Sequence, residues 1–199
     1  MKSTIKLLVA TALVTLSLSA NAQGFQIGYI NQTTTSSISN VESSNSLDGV
    51  QAGLTYDLSV QGPVSLNYGL TYAYLFKNST NSLSTSNTTA HQLDLPVRLV
   101  ANFPISEDLK VFVYGGPNFS YVLANKTKTT VAGISVTSDL YNDNSDISQF
   151  NLQAGVGGGL SFGKIILKVG YDWGLIDLNA TDLVKRNTNA LTASIGVKF

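Results

Sequence analysis

Val64–Phe76 reads VSLNYGLTYAYLF. Val64, Leu66, Tyr68, Leu70, Tyr72, Tyr74 and Phe76 oppose Ser65, Asn67, Gly69, Thr71 and Ala73. Successive side chains of an extended chain point to opposite faces, so alternation with period two predicts a strand with one apolar and one polar side.

The same period recurs through the rest of the chain. Eight alternating segments emerge: Gly24–Asn31, Gly49–Leu58, Val64–Phe76, Ala90–Phe103, Lys110–Leu123, Gln149–Phe162, Lys164–Ile176 and Ala190–Phe199. The connections alternate in length. Short turns follow the second, fourth and sixth segments, at Ser59–Pro63, Pro104–Leu109 and Gly163. Long polar stretches follow the odd ones, at Gln32–Asp48, Lys77–Thr89, Ala124–Ser148 and Asp177–Asn189, and read as loops. Tight turns at one end and long loops at the other are the pattern of an outer-membrane barrel. Pro96 and Pro117 fall inside predicted strands, where proline removes a ladder hydrogen bond. Each is therefore expected at a bulge or a strand end.

Two orientations satisfy such alternation. A lipocalin-like barrel buries its apolar face, whereas a membrane barrel turns it to lipid. The apolar faces carry no charged residue through their central spans. Aromatics gather toward their ends. Tyr56, Phe103, Phe162 and Phe199 mark one rim, and Tyr72, Tyr74, Phe76, Tyr121, Phe150 and Trp173 the other. Two such rims match interfacial girdles. The opposite face is rich in glycine, which suits the narrow lumen of an eight-stranded barrel. The fold expected is an all-β, eight-stranded antiparallel up-and-down transmembrane β-barrel.

The N-terminus reads as an export signal. Lys2 and Lys6 precede an apolar run from Leu7 to Leu18, and Ala20-Asn21-Ala22 forms an A-x-A cleavage site. Residues 1–22 are expected to be removed, leaving 23–199 as the barrel domain. The full chain has 12 Lys+Arg and 12 Asp+Glu; losing Lys2 and Lys6 leaves the mature protein near −2. Such a balance lacks the basic face of a nucleic-acid binder. With Cys 0, neither disulfides nor thiolate metal sites are available. Barrel closure, which pairs every backbone group in lipid, is one way to hold such a domain instead.

His91–Phe103, HQLDLPVRLVANF, resembles a segment of the outer-membrane β-barrel family that includes PorT-like proteins, in which a Leu-acid-apolar-Pro core opens an alternating strand. Val113–Leu123, VYGGPNFSYVL, is similar to the strand that follows. Phe199, after Ile195 and Val197, resembles the C-terminal signal that the barrel-assembly machinery recognises. The resemblance implies outer-membrane location and assembly through that machinery. It implies no catalytic residue.

Six charged residues point inward in this register: Asp57, Asp94, Arg98, Lys168, Asp172 and Lys198. Charges in a narrow lumen should pair, since an unpaired buried charge is expensive. They are read as a salt-bridge plug that fixes register, ahead of an ion path. Gly155–Gly159 looks like a dinucleotide loop, but Leu160 replaces its last glycine and no helix follows, so lumen packing is the better account. His91 is the sole histidine; no second His or Cys exists to build a zinc site, and a Ser-His-Asp triad would have to use His91 itself, at a predicted outer strand end. Asp143 and Asp146 in the Asp139–Asp146 stretch could hold Ca²⁺, but the stretch lacks the glycine and terminal glutamate of an EF-hand. The Asn-x-Ser/Thr triplets at Asn78 and Asn125 read as polar loop composition.

The role expected is non-enzymatic: a structural or surface-interaction protein without cofactor, embedded in outer-membrane lipids, with Ala124–Ser148 the foremost contact loop. Porin-like passage of small solutes ranks second, because eight strands leave little room for water. A lipid-modifying enzyme ranks third, for want of a triad.

Overall fold

The computed structural model describes residues 23–38, 41–81, 84–141, 147–179 and 184–199. Its strands are β1 (Gly24–Ile38), β2 (Val41–Gln61), β3 (Val64–Asn81), β4 (Ser84–Pro104), β5 (Leu109–Val131), β6 (Ile134–Asp139), β7 (Phe150–Phe162), β8 (Ile165–Gly174) and β9 (Lys185–Lys198). Eight of them close a ring in chain order, all antiparallel, with β9 returning to β1. The remaining strand, β6, stands off the ring and, among the described residues, pairs only with β5.

The apolar sides face out. Leu95, Leu167 and Val169 are 37%, 48% and 60% exposed, while Arg98 and Asp172 are each 6% exposed. An apolar exterior around a polar interior is stable only if hydrocarbon surrounds it. The outward aromatics Phe103, Phe162 and Phe199 are exposed at the turn end, and Tyr72, Tyr74, Phe76, Phe150 and Trp173 toward the hairpin end. Tyr56 departs from the expected girdle. It is buried, stacked on its cross-strand partner Tyr68 with ring centroids 5.3 Å apart.

The turns that join β2 to β3 and β7 to β8 are tight. Gly62 and Gly163 adopt φ of 57° and 54°, a conformation that glycine takes without a β-carbon penalty. The far ends correct the sequence reading. Much of Gln32–Asp48 and Lys77–Thr89, expected as loops, is strand. Likewise β5 continues to Val131, and β6 falls within the expected third loop. Asn78 and Asn125 lie in this ladder rather than in loops. With both faces wet, the apolar alternation disappears, but serine and threonine bond across the ladder instead. Thr33 pairs Ser46 at 2.8 Å, Thr35 pairs Ser44 at 3.0 Å and Thr88 pairs Thr127 at 2.9 Å. As a result β2, β4 and β5 run 21, 21 and 23 residues, against 13 for β7 and 10 for β8. A tilted strand crosses a membrane in about 9–11 residues. The surplus of the long strands carries the wall on by about 30 Å at the usual rise per residue.

Pro96 and Pro117 sit neither at a bulge nor at a strand end. The β4–β5 pairing passes from Pro96↔Asn118 to Leu99↔Gly115 with no change of register there. Val97, Arg98, Gly116 and Pro117 are left unpaired across that seam, which is how the wall accommodates two residues that interrupt a ladder.

Candidate functional site

The lumen holds the chemistry, and all six predicted charges face it. Nearest the turn end, Lys198 pairs with Asp57 at 3.1 Å, and Asn67 Nδ2 donates to the same carboxylate at 2.6 Å. Deeper, Arg98 on β4 reaches across to Asp172 on β8; both are buried. Arg98 Nη1 also donates to the Gly116 carbonyl at the seam. Gly116 has φ of 149°, a region open chiefly to glycine, and a β-carbon there would strike the Val97 carbonyl. Tyr114 lies with its ring centroid 5.9 Å from the guanidinium carbon. The Gly155–Gly159 run serves this packing. A β-carbon at Gly155 would collide with the Asp172 carboxylate and stand 2.9 Å from Arg98 Nη1.

Two of the six break the expectation of universal pairing. Among the described residues Asp94 has no cation. Its Oδ1 accepts from Gln92 at 2.8 Å, from Asn118 at 3.3 Å and from the Ser120 hydroxyl. Neutral donors thus satisfy this buried carboxyl group without an ion pair. Lys168 lines the lumen with neither a hydrogen bond nor an ion pair to a described residue, because Arg98 holds Asp172 and Lys198 holds Asp57.

Around Asp94 the interior is filled. Gln92, Ser120 and Gln153 are fully buried and joined to one another through Asp94 and Asn118. Gln32 donates to Gln92 at 2.9 Å, and Gln153 donates to the Thr188 carbonyl at 3.0 Å. On the hairpin side, Ile30, Leu47, Ala73, Leu75, Ala90 and Ala190 form an apolar cluster inside the barrel. The polar layer and this cluster stand between a pair of cavities. One of about 850 Å³ opens at the turn end, and a smaller one of about 230 Å³ lies among the hairpins.

The chain matches the outer membrane protein beta-barrel domain family over residues 13–180. It belongs to that family. Among solved structures it is similar to the Neisserial surface protein NspA, at 16% identity and a TM-score of 0.40, covering 88% of this chain and 97% of that one. It is similar also to Ail, the attachment invasion locus protein of Yersinia pestis, at 15% identity and a TM-score of 0.38 over 88% and 99% of the two chains. The outer membrane enzyme PagL matches at 14% identity and a TM-score of 0.49 over 85% and 99%. No curated protein matches the chain. The family match places this barrel in the bacterial outer membrane. In that class the short turns face the periplasm and the long hairpins face outside.

The other candidates fall as follows in this outer-membrane barrel. His91 sits on the outward face, its Nδ1 2.5 Å from the Tyr72 hydroxyl and its ring 5.2 Å from that of Tyr74. Its ring contacts and its side-chain hydrogen bond among the described residues are with tyrosines. Asp143, Asp146 and residues 1–22, read from the sequence as an export signal, lie outside the described residues. Among the described residues no three His, Cys, Asp or Glu side chains come together as a metal site. Phe199 is exposed, with its amide donating to the Gln23 carbonyl at 3.0 Å beside the β9–β1 closure. Sequence reasoning missed the inward apolar residues, Leu75 and Phe112 above all. Leu75 continues the polar side of Val64–Phe76, and simple parity was the available signal.

Proposed function

We propose that this barrel is a non-enzymatic outer-membrane protein that acts through its external hairpins rather than as a conduit. The observation that carries this reading is the filled layer around Asp94, with the apolar cluster on its external side. An ion following the lumen would have to displace Gln92 and Gln153, which are 1% and 0% exposed and hydrogen-bonded on both sides. The projecting β1–β5 wall and the β6 edge offer polar, strand-ordered surface to a partner, with the 124–148 segment as the foremost contact. Porin-like passage has no comparable support. Export with loss of residues 1–22, and assembly through the C-terminal strand ending in Phe199, complete the proposal.

Single-channel recording in planar bilayers tests it. The purified protein should give no discrete openings, and trimming the segment that carries β6 should leave folding intact while removing adhesion to the surface it contacts. Steady, solute-permeable conductance by the folded protein would overturn the reading in favour of transport.

A further inference from the structure

Lys168 and the cavity it lines support a use of the lumen beyond the external surface. The periplasmic cavity of about 850 Å³ is within the size range of small-molecule sites, which combine apolar walls with a few placed polar groups. Turn residues Gly62, Pro63 and Gly163 lie at its rim, so it opens toward the periplasm. Its walls include Phe112, Val100 and Ile166, together with the Tyr114 ring. In its charged zone three cations, Arg98, Lys168 and Lys198, meet two carboxylates, Asp57 and Asp172. Two ion pairs consume both carboxylates and leave the Lys168 ammonium over. Asp94 also lines the cavity, where it is held by Gln92, Asn118 and Ser120 rather than by a cation among the described residues. Glu107, Asp108 and Lys110 sit exposed at the rim, where solvent and salt weaken their fields.

We propose that this cavity binds a small organic anion from the periplasm, its carboxylate or equivalent acid group on Lys168 and its aromatic or aliphatic body against Phe112 and Tyr114. An unpaired cation in a low-dielectric recess gains a charge-assisted hydrogen bond from such a ligand. The apolar body buries surface that water otherwise wets.

Fluorine NMR on the full barrel in lipid nanodiscs tests this, with para-fluorobenzoate as probe and the neutral para-fluorobenzamide and cationic para-fluorobenzylammonium as controls. Empty nanodiscs set the background of partition into lipid. The benzoate should show saturable, barrel-dependent broadening, with the benzamide about tenfold weaker, the size expected for loss of one charge-assisted hydrogen bond. Lys168→Met should weaken the benzoate to the level of the benzamide, and Lys168→Arg should retain it. Heat-dependent migration on a gel shows whether each variant is folded. Should Lys168→Met fail to fold, the contrast between benzoate and benzamide on the unaltered protein decides. Equal binding of those two, preference for the ammonium, benzoate binding unaffected by Lys168→Met, or no saturable binding would each overturn the proposal.

Discussion

Strand β4 changes character along its length. From Leu93 to Phe103 its outward side chains are apolar and its inward ones include Asp94, Arg98 and Asn102. From Ser84 to Thr89 it is all serine, threonine and asparagine, yet the same antiparallel ladder to β3 and β5 continues. In the belt, hydrocarbon outside and an enclosed lumen inside penalise any misplaced polar group. In the hairpins water reaches both faces, and the ladder is held by backbone bonds and small hydroxyl pairs. One continuous sheet therefore contains a region where single side chains decide stability and a region where few do.

Urea unfolding in lipid vesicles, followed by the fluorescence of the single tryptophan, Trp173, puts that contrast to the test. Arg98→Ala should cost most, about 3–5 kcal/mol, because it strands a buried Asp172 without its partner. Val169→Arg, which sets a charge on the outward face, should cost about 2–4 kcal/mol if that position lies near the midplane. Lys198→Ala should cost at most about 1 kcal/mol, since its pair with Asp57 is 42% and 27% exposed at the side chains. Thr88→Ala in the hairpin should cost about 0.5 kcal/mol, the scale of one cross-strand pair. A Thr88→Ala loss equal to that of Val169→Arg would erase the distinction between belt and hairpin.

The belt was legible in the sequence because lipid on one side and packed polar groups on the other impose strict alternation. The same logic hid its exceptions. Ile30, Leu47 and Leu75 face inward as apolar filling, and a rule that sends apolar groups outward cannot locate them. Tyr56 has the correct parity but is covered by Tyr68, a matter of neighbouring strands rather than of its own. The hairpin strands were read as loops because water on both faces removes the pattern that marks a strand. Within the lumen, the inward direction of the six charges follows from parity. Their partners do not, because which residue of β4 meets which residue of β8 depends on the stagger of a closed ring. That is why Arg98 with Asp172, and Lys168 with neither carboxylate, emerge only from the three-dimensional arrangement.

Arg98 and Asp172 belong to strands that are not neighbours: two others, β5 and β7, stand between β4 and β8 on the ring. Their bond is thus a chord across the tube rather than a link along its wall. A cylinder braced on one chord resists being squeezed oval in the direction that would stretch that chord, and yields more readily along others. Lateral pressure from the surrounding bilayer should accordingly deform this cross-section unequally, with the stiffest axis set by one guanidinium and one carboxylate.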